Sequence, residues 1–232
     1  MRQYQPNRRA VLQQGLLLGV GGWAAALTGC SSPDNAPAAP TPATTATPTP
    51  TRGGATTANR ILLAYFSRPG ENYYYGGRRN LEVGNTEVLA RMIAELIDCN
   101  VHRIEATDPY PASYDATVAR NVREQNADAR PPIADPLASI EQYGTVLLGS
   151  PIWNVRSPMI MTTFTESYDF TGMTVHPFVT YAVSGLGSTE RDYTASCPGA
   201  RIAPGLAVQG EEVTQHRADV ETWLRDAGLL TT

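Results

Sequence analysis

From residue 60 onward, short apolar blocks alternate with stretches of helical period. ILLAYFS (61–67) is continuous, apolar and too short for a helix, which is the pattern of a parallel strand buried on both faces. TVLLGS (145–150), TVHPFVTYAVS (174–184) and GLAVQG (205–210) repeat it, and VHRIEA (101–106) alternates. Between these blocks the period lengthens. Val88, Leu89, Met92, Ile93, Leu96 and Ile97 share one face of a helix over 86–98. A polar helix built around Val118 and Val122 is expected over 113–127. RSPMIMTTFTESY predicts another over 156–168, with Pro158 in its first turn. TQHRADVETWLRDAG predicts a last one over 214–228, burying Val220, Trp223 and Leu224. Strands alternating with helices predict an α/β fold, a parallel sheet covered by helices on both faces.

Ahead of residue 60 the pattern is different. Arg8 and Arg9 lead into LLLGVGGWAAALTG, which ends at Cys30. A basic start, a short apolar stretch and small residues before a cut make an export signal. The run is shorter and richer in glycine than the roughly 20 apolar residues of a spanning helix. The paired arginines point to the twin-arginine route, although Val11 stands where that signal usually has an aromatic. LTGC resembles a bacterial lipobox, in which Cys30 becomes the lipidated first residue of the mature chain; an ordinary cleaved signal is the alternative. Residues 31–59 are rich in Pro, Thr and Ala and cannot bury a core. Stiffened by proline, they read as a tether. The expected organisation is a signal peptide over 1–29, a lipidated cysteine and linker over 30–59, and a folded domain over 60–232. The expected location is the outer face of the cytoplasmic membrane.

All 18 basic residues are arginine, and the formal net charge is −4. Residues 1–29 hold three arginines and no acid, so their removal takes −4 to −7. That charge disfavours nonspecific nucleic-acid binding, which needs a basic footprint. His102, His176 and His216 are far apart in sequence and argue against a histidine metal site. The absence of a G-x-S-x-G elbow argues against a serine hydrolase.

In such a sheet, ligands bind outside the carboxyl ends of the strands. Three loops leave those ends: SRPGENYYYGGRRNLEVGNT (67–86), GSPIWNVRSP (149–158) and SGLGSTERDY (184–193). The first begins like a phosphate loop, at Ser67, Arg68 and Gly70, and meets a helix only at Asn85 and Thr86. A helix starting there offers free N–H groups and a positive dipole end to a phosphate, and the Ser67 and Thr86 hydroxyls add donors. Glu87 must then point away. The plainer reading makes Asn85-Thr86 a helix cap and nothing more. Trp153 reads equally as a packing residue or as a stacking platform, and Tyr73 to Tyr75 as a cover for a ligand or as simple packing. SGLGST lacks the third glycine of a dinucleotide fingerprint and follows the wrong strand for one.

Taken together, YFSRPGEN, GNTEVLA, GSPIW, ESYDFTGMTVHPF, SGLGS and CPGA, in that order, resemble the flavodoxin family, and most closely its variant with an extended first loop. The resemblance spans about residues 61–210 and implies a doubly wound five-stranded parallel sheet in the order 2-1-3-4-5. It implies FMN as the cofactor. Its phosphate would lie against Ser67, Arg68, Gly70, Asn85 and Thr86, with residues 71–84 looped out. Trp153 would cover one face of the flavin ring. Pro151, Ile152, Trp153 and Asn154 would border its redox-active nitrogen edge, and Ser184, Gly185 and Gly187 its pyrimidine edge. Many relatives have two consecutive aromatics where this chain has Trp153-Asn154. In the implied strand order Cys99 and Cys197 precede strands near opposite edges, too far apart for a disulfide. The implied function is an FMN-dependent redox protein that passes electrons between unidentified partners or to a small acceptor such as a quinone. If it is an enzyme, it is an oxidoreductase resembling quinone reductases. The competing class is a flavin-free binding or sensory lipoprotein on the same fold.

Overall fold

The computed structural model describes residues 60–231. The expectations for residues 1–59, Cys30 included, lie outside the described residues. Among the described residues, nine strands, five α-helices and a 3-10 turn follow one another in the order of an α/β protein. Strand β1 (Ile61–Phe66) is central, with β4 (Asn100–Ala106) on one side and β6 (Thr145–Pro151) on the other, both parallel to it. Strand β7 (Thr174–Tyr181) continues the sheet beyond β6 and pairs in parallel with β8 (Arg201–Ile202) and β9 (Leu206–Gln209). Read as five parallel positions, the order is the expected 2-1-3-4-5, with the fifth position split in two. Pro204 lies in the gap, where its missing N–H cannot serve a ladder. The two-residue β5 (Ile133–Ala134) adds an antiparallel edge to β4.

Alternation along each strand divides the core between two layers. Leu63, Tyr65, Leu147 and Phe178 face α1 (Asn85–Leu96) and α5 (Arg217–Asp226), where Leu89, Ile93, Val220 and Leu224 meet them. Leu62, Ala64, Phe66, Val146, Leu148 and Val175 face the other layer. There they meet Ile160, Met161 and Phe164 of α3 (Met159–Glu166) and Tyr193 of α4 (Thr189–Ser196). Helix α2 (Tyr114–Asn126) packs beside α3. No described helix is long and apolar enough to cross a membrane.

Several elements depart from the pattern-based expectation. Helix α3 begins at Met159 rather than 156, because the backbone of Arg156 is committed to a turn with Trp153 and Pro158 sits extended at the cap. The last expected helix is a 3-10 segment (Gly210–Gln215) followed by α5. Helix α4 begins inside the segment expected to be a loop over 184–193. The expected inward side of α2 is reversed: Val118 and Val122 are exposed, while Thr117, Asn121 and Glu124 are buried. The stretch read as looped out over 71–84 is largely a hairpin, β2 (Gly70–Tyr74) paired antiparallel with β3 (Gly77–Leu81).

Cys99 and Cys197 are both free, and burial pushes the Cys197 thiol up to about 12. Burial depresses the pKa of His176, which is 4% exposed, and of half-buried His102, both below the ordinary value of 6.5. A histidine held neutral in the fold binds its proton more readily once unfolded. Stability therefore falls as pH drops below 6.5 and continues to fall toward the lower folded-state values. Thermal melts at pH 7.5 and pH 5 should show the loss, and His176→Gln should flatten part of it. A melting temperature independent of pH over that interval would contradict this.

Candidate functional site

The three strand-exit loops converge at the C-terminal edge of β1, β6 and β7. Leaving β1, the chain turns Ser67 and Arg68 inward, and both are buried. The Ser67 hydroxyl accepts the N–H of Glu87 at 3.1 Å and so caps α1 from a distant part of the chain. Gly84, the N-cap, closes the gap between the two halves of the interrupted loop. A Cβ there would stand 2.3 Å from Ser67 Oγ and 2.6 Å from the Arg68 carbonyl oxygen. Seventeen positions apart in sequence, Ser67 and Gly84 are thus in contact, and Asn85 and Thr86 follow directly.

The N–H groups of Asn85 and Thr86 have no partner among the described residues, as the first turn of a helix requires. Thr86 is buried, with its hydroxyl 2.7 Å from that of Thr180. Glu87 points away, its carboxylate paired with Arg91 and, at 3.1 Å, with Arg103 of β4. Two unpaired N–H groups at a positive helix end, beside a serine hydroxyl whose proton is free to donate, make a cradle for an anion.

Arg68 and Gly70 have other work. The Arg68 guanidinium donates to the carbonyls of Pro69, Pro111 and Ala112 at 3.1, 3.0 and 3.1 Å, and to that of Glu71. Its Nε is buried without a partner, and burial lowers its pKa while nearby Glu71 opposes the shift. Gly70 has φ +91°, and a Cβ there would meet the Ala112 carbonyl at 2.7 Å. Both residues pin the base of the hairpin to the segment before α2. The tip is held separately: the Tyr75 hydroxyl donates to Glu212 at 2.8 Å, and Arg78 bonds Asp115 at 3.1 Å while lying 3.6 Å above the Tyr114 ring. Tyr73 reaches a recess of about 60 Å³ that it shares with Asn85, Pro151, Thr180 and Ala182.

After β6, the N–H of Ile152 donates to Thr180 at 2.8 Å. Trp153 and Arg156 bond each other across a two-residue turn, Asn154 at φ 49° and Val155 at φ 64°. A β-branched residue in that region is strained, at a cost on the order of 1–3 kcal/mol. The neighbouring loop holds it in place: Ser188 N–H donates to the Val155 carbonyl at 2.8 Å, and a Cβ on Gly187 would come within 2.1 Å of the same oxygen. Gly187 is at φ +55°, and its N–H donates to the Ser184 carbonyl, with Gly185 at φ +56° between them. The Trp153 ring packs edge-on against Phe66 and Tyr110, with centroids 5.6 and 5.2 Å away. It also lines a cavity of about 380 Å³ together with Arg68 and Asn154.

No residue pattern along the chain marks what lies beneath these two loops. Ser150 donates to Ser157 at 2.8 Å, and Ser157 lies 3.2 Å from the Thr189 hydroxyl and 3.5 Å from that of Tyr193. All four are buried. This hydroxyl cluster ties the end of β6 to α4, so the loops 151–156 and 184–188 are fixed relative to each other. Among the described residues no group of side chains could hold a metal ion.

Residues 80–227, well over half the chain, match the model of a family described as flavodoxin. The chain belongs to the flavodoxin family. Among solved structures, this flavodoxin is similar to a candidate flavoprotein from Bacteroides uniformis, at 28% identity and a TM-score of 0.57, over 72% of this chain and 98% of that one. A candidate flavoprotein from Bacteroides eggerthii matches in fold at 24% identity and a TM-score of 0.58, over 73% and 98%. A Lactobacillus acidophilus flavoprotein solved in complex with FMN matches at 18% identity and a TM-score of 0.49, over 68% and 98%. A search of curated proteins finds no match. Membership of the family points to FMN as the cofactor.

Proposed function

We propose that this flavodoxin holds FMN across the three loops and works as a redox protein, passing electrons between partners or to a small acceptor such as a quinone. The observation that carries the proposal is the pair of unpartnered N–H groups at Asn85 and Thr86 beside the Ser67 hydroxyl. FMN, when bound, supplies the redox chemistry. The chain binds and orients it. Asn85, Thr86 and Ser67 would receive the phosphate. Pro151 to Asn154 would line one edge of the ring, and Ser184, Gly185 and Gly187 another, on loops held rigid by the hydroxyl cluster. The test is a titration with FMN and with riboflavin, read by flavin fluorescence. FMN should bind far more tightly, because only FMN brings a phosphate; equal affinities would remove the cradle's assigned role. A colourless protein that takes up neither would favour the flavin-free binding class.

The proposed setting is the outer face of the cytoplasmic membrane, with the domain tethered by lipidated Cys30. Arg8-Arg9 and LTGC support this, since each buried CH₂ of an attached chain contributes about 0.8 kcal/mol to anchoring. The twin-arginine route suits a protein exported folded around its cofactor. A Cys30→Ala protein should leave the membrane fraction; one that stays wholly with membranes would count against the anchor.

A further inference from the structure

We infer that the cavity between Trp153 and α2 is a second binding site, beside the FMN groove, for a flat, electron-poor ring that carries carbonyl oxygens. The inference rests on the functional reading above, for which it supplies the seat of a small acceptor. The cavity holds about 380 Å³, within the range of small-molecule sites. One wall is the Trp153 indole, an electron-rich flat surface. Facing it are Val118 and Val122, one turn apart on α2 and each 42% exposed. Their exposure has no packing rationale on a helix that turns Thr117, Asn121 and Glu124 inward. As the wall of a slot for a planar apolar ring, it does.

The polar groups decide the ring's substituents. Asn121 accepts from Gln125 through Oδ1 at 3.2 Å, which leaves its NH₂ free to donate. The Tyr114 hydroxyl has no hydrogen-bond partner among the described residues, and Arg68 contributes a positive charge. No carboxylate lines the cavity, although the chain beyond residue 29 carries a net −7. Donors, one cation and no acid favour a ligand with acceptor oxygens. None of Ser67, Asn85, Thr86, Ser184, Gly185 or Gly187 lines it, and α1, which offers the phosphate cradle, packs on the other face of the sheet. The cavity therefore adjoins the FMN groove, sharing Trp153 and Asn154 as a border.

The test uses purified protein, with and without FMN, and 1,4-naphthoquinone as the probe, with binding read by equilibrium dialysis. Val118→Glu and Val122→Glu lie at exposed positions, so the fold should tolerate them. Each should weaken naphthoquinone binding about tenfold or more, because a charge then faces the ring's apolar slot. FMN affinity, read separately by flavin fluorescence, should be unchanged. Naphthoquinone binding that is absent from the parent protein, or equal in parent and variants, overturns the inference. Loss of FMN together with naphthoquinone also overturns it, because the cavity would then hold the flavin ring itself. Naphthoquinone binding that is sensitive to both valines in a protein that takes up no FMN upholds the cavity and removes the functional reading instead.

Discussion

Gly84→Ala should abolish most of the protein's preference for FMN over riboflavin. The backbone at Gly84, φ −68° and ψ 147°, is open to any residue, so the effect is steric. The new methyl would fall 2.3 Å from Ser67 Oγ, 2.6 Å from the Arg68 carbonyl oxygen and 2.8 Å from its carbon. A side chain could rotate away, but the Arg68 backbone is the outgoing end of the central strand and cannot. The two halves of the loop must separate, stretching the Ser67–Glu87 bond and moving the N–H groups of Asn85 and Thr86 out of register with the serine. A charge-assisted contact of this kind is worth roughly 1.5–3 kcal/mol, so FMN affinity should fall roughly 10- to 100-fold. Riboflavin affinity, which does not depend on the cradle, should change little. The overpacking itself should destabilise the fold by about 1–3 kcal/mol. Titrations of both ligands give the ratio, and an unchanged FMN-to-riboflavin ratio in Gly84→Ala would mean that the phosphate sits elsewhere.

Which parts of this molecule can be read from its sequence follows from how each part is buried. The central strands were legible because helices cover both faces, which leaves uninterrupted apolar runs such as ILLAYF and TVLLG. Helix α1 was legible from its stripe. Helix α4 was not, since TERDYTAS turns only Thr189 and Tyr193 inward. The β2–β3 hairpin belongs to no large sheet and buries no face, so it leaves no alternation to find; it closes through a turn at Tyr75 and Gly76, at φ 45° and 85°. Ser67, Asn85 and Thr86 were placed together by resemblance and by the logic of helix ends, and the contact between Ser67 and Gly84 accounts for their proximity. The partners of Arg68 lie 43 and 44 positions away at Pro111 and Ala112. They are backbone carbonyls, which carry no sequence signature. The outward turn of the α2 valines is hidden for a related reason: periodicity says which residues share a helix face, and cannot say that the face looks into a cavity.

Arg68→Met should lower the melting temperature sharply while leaving the preference for FMN in place. Arg68 is 7% exposed and supplies the donors for carbonyls on three stretches of chain, the exit of β1, the base of the hairpin and the segment before α2. Methionine fills a similar volume without a single donor. Replacing both partners of a buried polar contact by apolar groups can be neutral, but backbone carbonyls cannot be replaced, so here only one side is removed. Some of the orphaned carbonyls will recover water at the cavity, which limits the loss to about 2–4 kcal/mol. For a domain of this size that corresponds to roughly 5–15 °C. Lysine reaches fewer carbonyls from a single nitrogen, so Arg68→Lys should fall between methionine and the parent. The opposite assignment, in which Arg68 grips the phosphate, makes the opposite prediction. It expects the melting temperature of the cofactor-free protein to hold while FMN affinity collapses toward that of riboflavin. Thermal melts without cofactor and titrations with both ligands separate the two. If methionine leaves the cofactor-free protein as stable as the parent and erases the preference for FMN, then Arg68 is a phosphate ligand and the hairpin is held by something else.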